Sequence, residues 1–115
     1  AMNLVPGEIE NGTFRGEQIA IEGIKGPEGK AVMGFRAEDI EVIKGAAELS
    51  APVYSMELLG DATQINVRCG DVLVSGKAGK DFRAGIGDPI GFKILPQHCH
   101  LFDAENGKRI PAGQS

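Results

Sequence analysis

A chain of 115 residues, 42% hydrophobic and 24% charged, has the size and make-up of one globular domain and is too short for two self-sufficient cores. Its 12 basic and 16 acidic residues leave a net charge of −4 and are scattered, which argues against the concentrated basic face that binds nucleic-acid phosphates or anionic lipid. No apolar run approaches the roughly 20 residues of a membrane-crossing helix.

Seventeen glycines and six prolines interrupt any long helical pattern, and the segments between them alternate with a period of two, which is the mark of strands. In chain order, Glu8 to Phe14 opens the sheet and pairs with Ile19 to Glu22 through Arg15-Gly16-Glu17. Ala31 to Phe35 is a further strand, Arg36 to Ile40 a brief helical turn, and Lys44 to Ser50 a loop between two groups of strands. Tyr54, Met56 and Leu58 alternate with Ser55 and Glu57. The clearest strand is Thr63 to Cys69, where Ile65, Val67 and Cys69 point one way and Gln64, Asn66 and Arg68 the other. Gly70-Asp71 is a two-residue hairpin signal leading into Val72 to Val74. Ile90, Phe92 and Ile94 form the next alternating set, and His98 to Asp103 the last strand. The domain is expected to span 1–110, with Pro111 to Ser115 a solvated tail.

About eight short strands in this cadence predict an all-β fold, a small OB-like barrel. Closure hides sheet edges that otherwise pair with other chains, and a dimer joined edge to edge is the other solution.

No constellation in the sequence suits catalysis. In His98-Cys99-His100 a strand would put the two imidazoles on one face and the thiol on the other, short of the four ligands of a structural zinc site, so no metal is expected. Cys69 sits on an apolar face, where a thiol is inert. The two cysteines form no disulfide framework, and Ala1 to Pro6 shows neither a basic leader nor an apolar stretch, which together suit a cytoplasmic setting. Of Glu38, Asp39, Asp61, Asp71, Asp81, Asp88 and Asp103, most stand beside glycine or in predicted turns, where carboxylates bond local backbone N–H groups. Gly23 to Lys30 is glycine-rich but lacks the register of a phosphate-binding loop and leads into a strand, so neither ATP hydrolysis nor any cofactor is expected. Five phenylalanines, one tyrosine and no tryptophan offer few stacking platforms for single-stranded nucleic acid.

Four segments, taken in order, carry more information. Gly34-Phe35-Arg36-Ala37-Glu38-Asp39-Ile40 resembles a G-[IV]-R-P-E-x-[ILV] element, with Ala37 where proline is usual. Leu59-Gly60-Asp61-Ala62-Thr63 resembles L-G-x-x-T, and Pro96 to Asp103 followed by Gly107-Lys108-Arg109-Ile110 resembles P-x-x-x-H-L-F-D…G-x-R-[IL]. Met2-Asn3-Leu4-Val5 resembles an M-N-[FL]-[LV] junction. The set is similar to the C-terminal TOBE domain of ATP-binding subunits from sugar and glycerol-phosphate ABC importers. The resemblance implies an OB-like regulatory domain of a longer subunit, non-catalytic itself and helping two ATP-binding subunits associate. The implied partners are a second copy, the subunit's ATPase domain and, through it, the membrane permease subunits at the inner face of the membrane. Arg36, Asp39, Asp61, His100 and Phe102 are the candidate regulatory or interface residues. A second expectation, a module binding an oxyanion or another small metabolite, would use Thr63, Ser75 and Lys77.

Overall fold

Asn11 and Gly12 reverse the chain at its first turn. Both take left-handed φ angles, 53° and 78°, the pairing that matches the twist of a two-residue hairpin. They fold β1 (Met2–Glu10) onto β2 (Thr13–Gly16), setting Ile9 directly opposite Phe14. The computed structural model describes residues 2–111, and most of the expected tail lies outside them. The remaining strands are β3 (Ile19–Glu22), β4 (Gly29–Arg36), β5 (Glu41–Lys44), β6 (Leu49–Leu59), β7 (Ala62–Cys69), β8 (Val72–Gly79), β9 (Pro89–Lys93), β10 (His100–Asp103) and β11 (Arg109–Ile110). Short 3₁₀ turns occupy Ala37–Asp39 and Pro96–His98.

The fold is all-β, as expected, with strand order β11-β10-β4-β1-β2-β3-β6-β7-β8 and β9 bridging β5 to β6. The strands are more numerous than the eight expected. Glu8 to Phe14 is two strands rather than one, because Asn11-Gly12 turns the chain inside it. Lys44 to Ser50 is loop only over 45–48, since Lys44 closes β5 and Leu49 opens β6. His98 lies in a 3₁₀ turn led by Pro96, whose fixed φ suits a turn start, so the last long strand begins only at His100. The brief turn at Arg36 to Ile40 and the Gly70-Asp71 hairpin stand where the sequence put them.

The core is one cluster. Phe14, Phe35 and Phe92 are fully enclosed, together with Met33, Leu49, Ile65, Val67 and Val74. Gly76 interrupts β8 because a Cβ there would lie 3.0 Å from the Phe92 ring and 3.2 Å from Val42 Cγ2. Cys69 donates its thiol hydrogen to the Glu17 carbonyl at 2.8 Å, fastening the end of β7 to the β2–β3 turn.

The backbone ladder does not close on itself, because β8 ends the strand path while β1 sits in its middle. A side chain bridges the gap. Asn3 Nδ2 donates to the Ser75 carbonyl and Asn3 Oδ1 accepts from the Ser75 N–H, both at 2.9 Å, so one carboxamide does what a neighbouring strand would do. Ser75 Oγ in turn donates to Asn66 Oδ1 at 2.6 Å, and Asn66 Nδ2 donates to Ser55 Oγ at 2.9 Å. A polar row thus runs from β6 across β7 and β8 to β1.

Replacing Asn3 with Ala leaves the Ser75 N–H and carbonyl half-buried without partners, and is expected to lower stability by about 1–3 kcal/mol. Asn3→Asp should also destabilise, since a carboxylate oxygen would face the Ser75 carbonyl. Ser75→Ala, which keeps both main-chain bonds, should lose only about 0.5–1.5 kcal/mol. Urea denaturation of the three variants checks this order.

Candidate functional site

Three of the five candidate residues gather around one glycine. Gly34 lies on the outward face of β4, opposite Leu4 on β1 and His100 on β10. A Cβ at Gly34 would stand 2.6 Å from Met2 Sδ, 2.8 Å from the Phe102 ring and 3.3 Å from Leu4 Cδ2. The bare backbone therefore lets Met2, Leu4 and Phe102 close over β4. Phe102 is half-buried there, beside Val32, while Leu4 remains 51% exposed. Arg36 follows on the same strand, opposite Met2, and is exposed. The segments containing Met2, Gly34 and Phe102 meet in this face.

Asp39 stands in the 3₁₀ turn just beyond, half-buried. Asp61 is elsewhere, exposed in the Gly60-Asp61 turn between β6 and β7, where Gly60 has a φ of 70°. Arg36 pairs with no carboxylate; the one ion pair among the described residues joins exposed Lys93 and Glu41 at 4.0 Å, worth little in water. Beside Arg36, the Glu38 carboxyl is held below its ordinary pKa, first by a bond to its own backbone N–H, against the opposing effect of desolvation, and then by the nearby charges of Lys77 and Arg36.

His98 and His100 are both half-buried, with Nδ1 of each enclosed and unpaired among the described residues. His98 belongs to the 3₁₀ turn and not to a strand, so the expected alternation of these imidazoles with Cys99 does not arise. No group of three or more ligand-type side chains fit for a metal occurs among the described residues. Burial raises both thiols to about 11, with Glu17 adding to the effect at Cys69 and Glu48 at Cys99.

The segment from Pro96 to Ile110 serves a turn in which Asp103 plays the capping role expected of it. Asp103 Oδ1 accepts from the N–H groups of Glu105 and Asn106, at 2.8 and 3.2 Å, and its backbone exchanges bonds with Gly107 and Lys108. This loop returns Arg109 and Ile110 to pair with Phe102 and Leu101. Asn3 is the residue whose role sequence reasoning missed; only a partner 72 residues away reveals it.

The oxyanion set does not assemble. Thr63 is 5% exposed and shares the inward face of β7 with Ile65 and Val67, whereas Ser75 and Lys77 lie on the outward face of β8. A cavity of about 370 Å³ opens between the β3–β4 loop and the second 3₁₀ turn, lined by Lys25, Gln97 and Cys99 over Ile24 and Leu101. It holds one cation and none of the five candidate residues.

Gly34→Ala should destabilise by about 1–3 kcal/mol through overpacking, and Met2→Ala in the same chain should return part of that loss, the coupling expected of touching residues. Thermal unfolding of the single and double variants measures it. At pH 7.5 both thiols should react slowly with iodoacetamide. Since burial raises both, the stability tied to the protonated thiols is present below about pH 8.5 and fades as pH climbs through 11, so urea midpoints should fall over that window.

Residues 33–102 match the TOBE domain family. The chain is 30% identical over 120 residues to the sn-glycerol-3-phosphate import ATP-binding protein UgpC of Burkholderia thailandensis, covering 95% of this chain and 33% of that protein. It is 35% identical over 78 residues to the protein of the same name in Burkholderia ambifaria, covering 68% of this chain and 22% of that one. The chain thus spans a third or less of the length of these relatives. With the match running from the second half of β4 into β10, over more than half of its length, the chain belongs to the TOBE domain family.

Proposed function

We propose that this chain is a non-catalytic regulatory and association domain of the ATP-binding subunit of an ABC importer, of the kind that moves sugars or glycerol phosphates. The observation that carries the reading is where the motif residues go. Asn3, Gly34, Phe102 and Asp103 serve a seam, a close strand approach and a turn, and do not converge around a cavity as residues of a reaction centre do. The relatives' printed names, import ATP-binding proteins, supply the transport context. In that setting the domain lies at the cytoplasmic face, joined to its own ATPase domain and through it to the permease subunits. It holds two ATP-binding subunits together while their nucleotide domains open and close, and it biases that motion by its differential affinity for the two states.

Sedimentation velocity of the chain across a roughly hundredfold concentration range is the test. A reversible dimer that grows with concentration is the expected result. A monomer throughout would remove self-association and leave docking on the ATPase domain as the domain's work.

A further inference from the structure

Of the four asparagines in the chain, two, Asn11 and Asn106, stand directly before a glycine. In that dipeptide the carboxamide carbon closes readily on the following backbone nitrogen, because no Cβ obstructs the approach. Both asparagines lie exposed in turns, yet the fold treats them differently. At Asn106 the Gly107 N–H donates to the Asp103 carbonyl at 2.9 Å, and Asn106 Oδ1 accepts from the Lys108 N–H at 2.8 Å. Both reacting groups are engaged there, and the loop must open before the Gly107 nitrogen can react. At Asn11 neither the carboxamide nor the Gly12 N–H has a hydrogen-bond partner among the described residues. Only the rest of that turn is tied down. The Asn11 N–H donates to Glu28 Oε2 at 2.8 Å, and the Gly12 carbonyl accepts from the Ile24 N–H at 2.9 Å.

From this contrast we propose that Asn11 is a modification site, converting without an enzyme to aspartate and isoaspartate while Asn106 is spared. Solvent hydroxide removes the Gly12 amide proton, and the nitrogen attacks Asn11 Cγ. The N–Cγ bond forms, the Cγ–Nδ2 bond breaks, and ammonia leaves with a proton from water, which regenerates hydroxide. A cyclic imide remains, and water adds to one of its two carbonyls. Breaking the new N–Cγ bond gives aspartate at position 11. Breaking the bond from the main-chain carbonyl carbon to the Gly12 nitrogen gives isoaspartate, with the chain running through Cγ. The consequence follows from the turn. A two-residue hairpin sets Ile9 opposite Phe14, and isoaspartate lengthens its backbone by a methylene. Either product also puts a carboxylate beside Glu28, whose own carboxylate holds the Asn11 N–H. The β3–β4 loop is thereby loosened where Ile24 and Lys25 wall the cavity described above.

The experiment incubates the folded 115-residue chain in mildly alkaline buffer and follows its tryptic peptides by mass spectrometry. Residues 1–15 and 94–108 fall in separate peptides, so one digest reads both sites. Conversion at Asn11 is expected to outrun that at Asn106 several-fold. In guanidinium chloride, where both sets of hydrogen bonds are lost, the two rates should converge. The converted chain should unfold at a lower urea midpoint than the parent. Asp103→Ala removes the acceptor of the Glu105 and Asn106 N–H groups, and should speed conversion at Asn106 while leaving Asn11 unchanged. Equal rates in the folded chain, or a faster Asn106, overturn the proposal. A ratio that persists in guanidinium chloride overturns it too, since the sequence and not the fold would then set the preference.

Discussion

Strand β1 has three neighbours, and only two of them are held by backbone ladders. β2 and β4 flank it in the ordinary antiparallel way, while β8 is reached through the carboxamide of Asn3 alone. Without that side chain the strand path is a curled ribbon with a free edge at β8, the kind of edge that recruits other chains. With it, the Ser75 N–H and carbonyl are both satisfied, and the polar row through Asn66 and Ser55 locks the register behind them. Asparagine suits the task because its carboxamide presents a donor and an acceptor at the spacing of a peptide group, which neither aspartate nor leucine can do.

The same strand explains the outward face. β1 brings Met2 and Leu4 over β4, and β10 brings Phe102 from the other side, so three apolar side chains compete for the space above one residue. Only glycine there lets them meet. Two family-like segments at opposite ends of the chain are therefore parts of one packing arrangement. Their coincidence in sequence order follows from the fold, and no reaction needs to be invoked for it.

Much of this was legible in the sequence, for identifiable reasons. Where one face of a strand is buried and the other wet, alternation survives in the residues, as at Ile65, Val67 and Cys69. The β1–β2 turn escaped that reading, although Asn11-Gly12 is a hairpin signal. Ile9 and Phe14 are five apart and would face opposite sides of one continuous strand, yet both are buried, which only a turn at Asn11-Gly12 allows. The first half of β6 was obscured by Pro52, a residue that normally argues against a strand interior. It is tolerated because Pro52 stands opposite Pro89, the last pair of the β6–β9 ladder, before the bulge at Tyr54. The site was less legible. Glu38, Asp39 and Asp61 are all conceivable partners for Arg36 in the sequence, but it pairs with none of them, and the turn holding Asp61 lies at the far end of the β6–β7 hairpin. The Asn3 seam joins residues 72 apart and leaves no local signature at all.

The seam and the core differ in what holds them, and the difference bears on how such a domain transmits a change. Two hydrogen bonds at the seam are worth about 1 kcal/mol each, net of their exchange with water. The enclosed core of Phe14, Phe35 and Phe92 contributes far more, roughly 1.5–3 kcal/mol for each large side chain. The junction of β1 with β8 is consequently the least expensive place for the barrel to part while its core stays packed. β6, β7 and β8, which carry the exposed Met56 and Leu58, lie on one side of that junction; Met2, Leu4 and the Gly34 face lie on the other. A displacement of β1 would therefore be felt at the hairpin chiefly through Asn3, Ser75 and the polar row behind them, because no backbone ladder spans the gap.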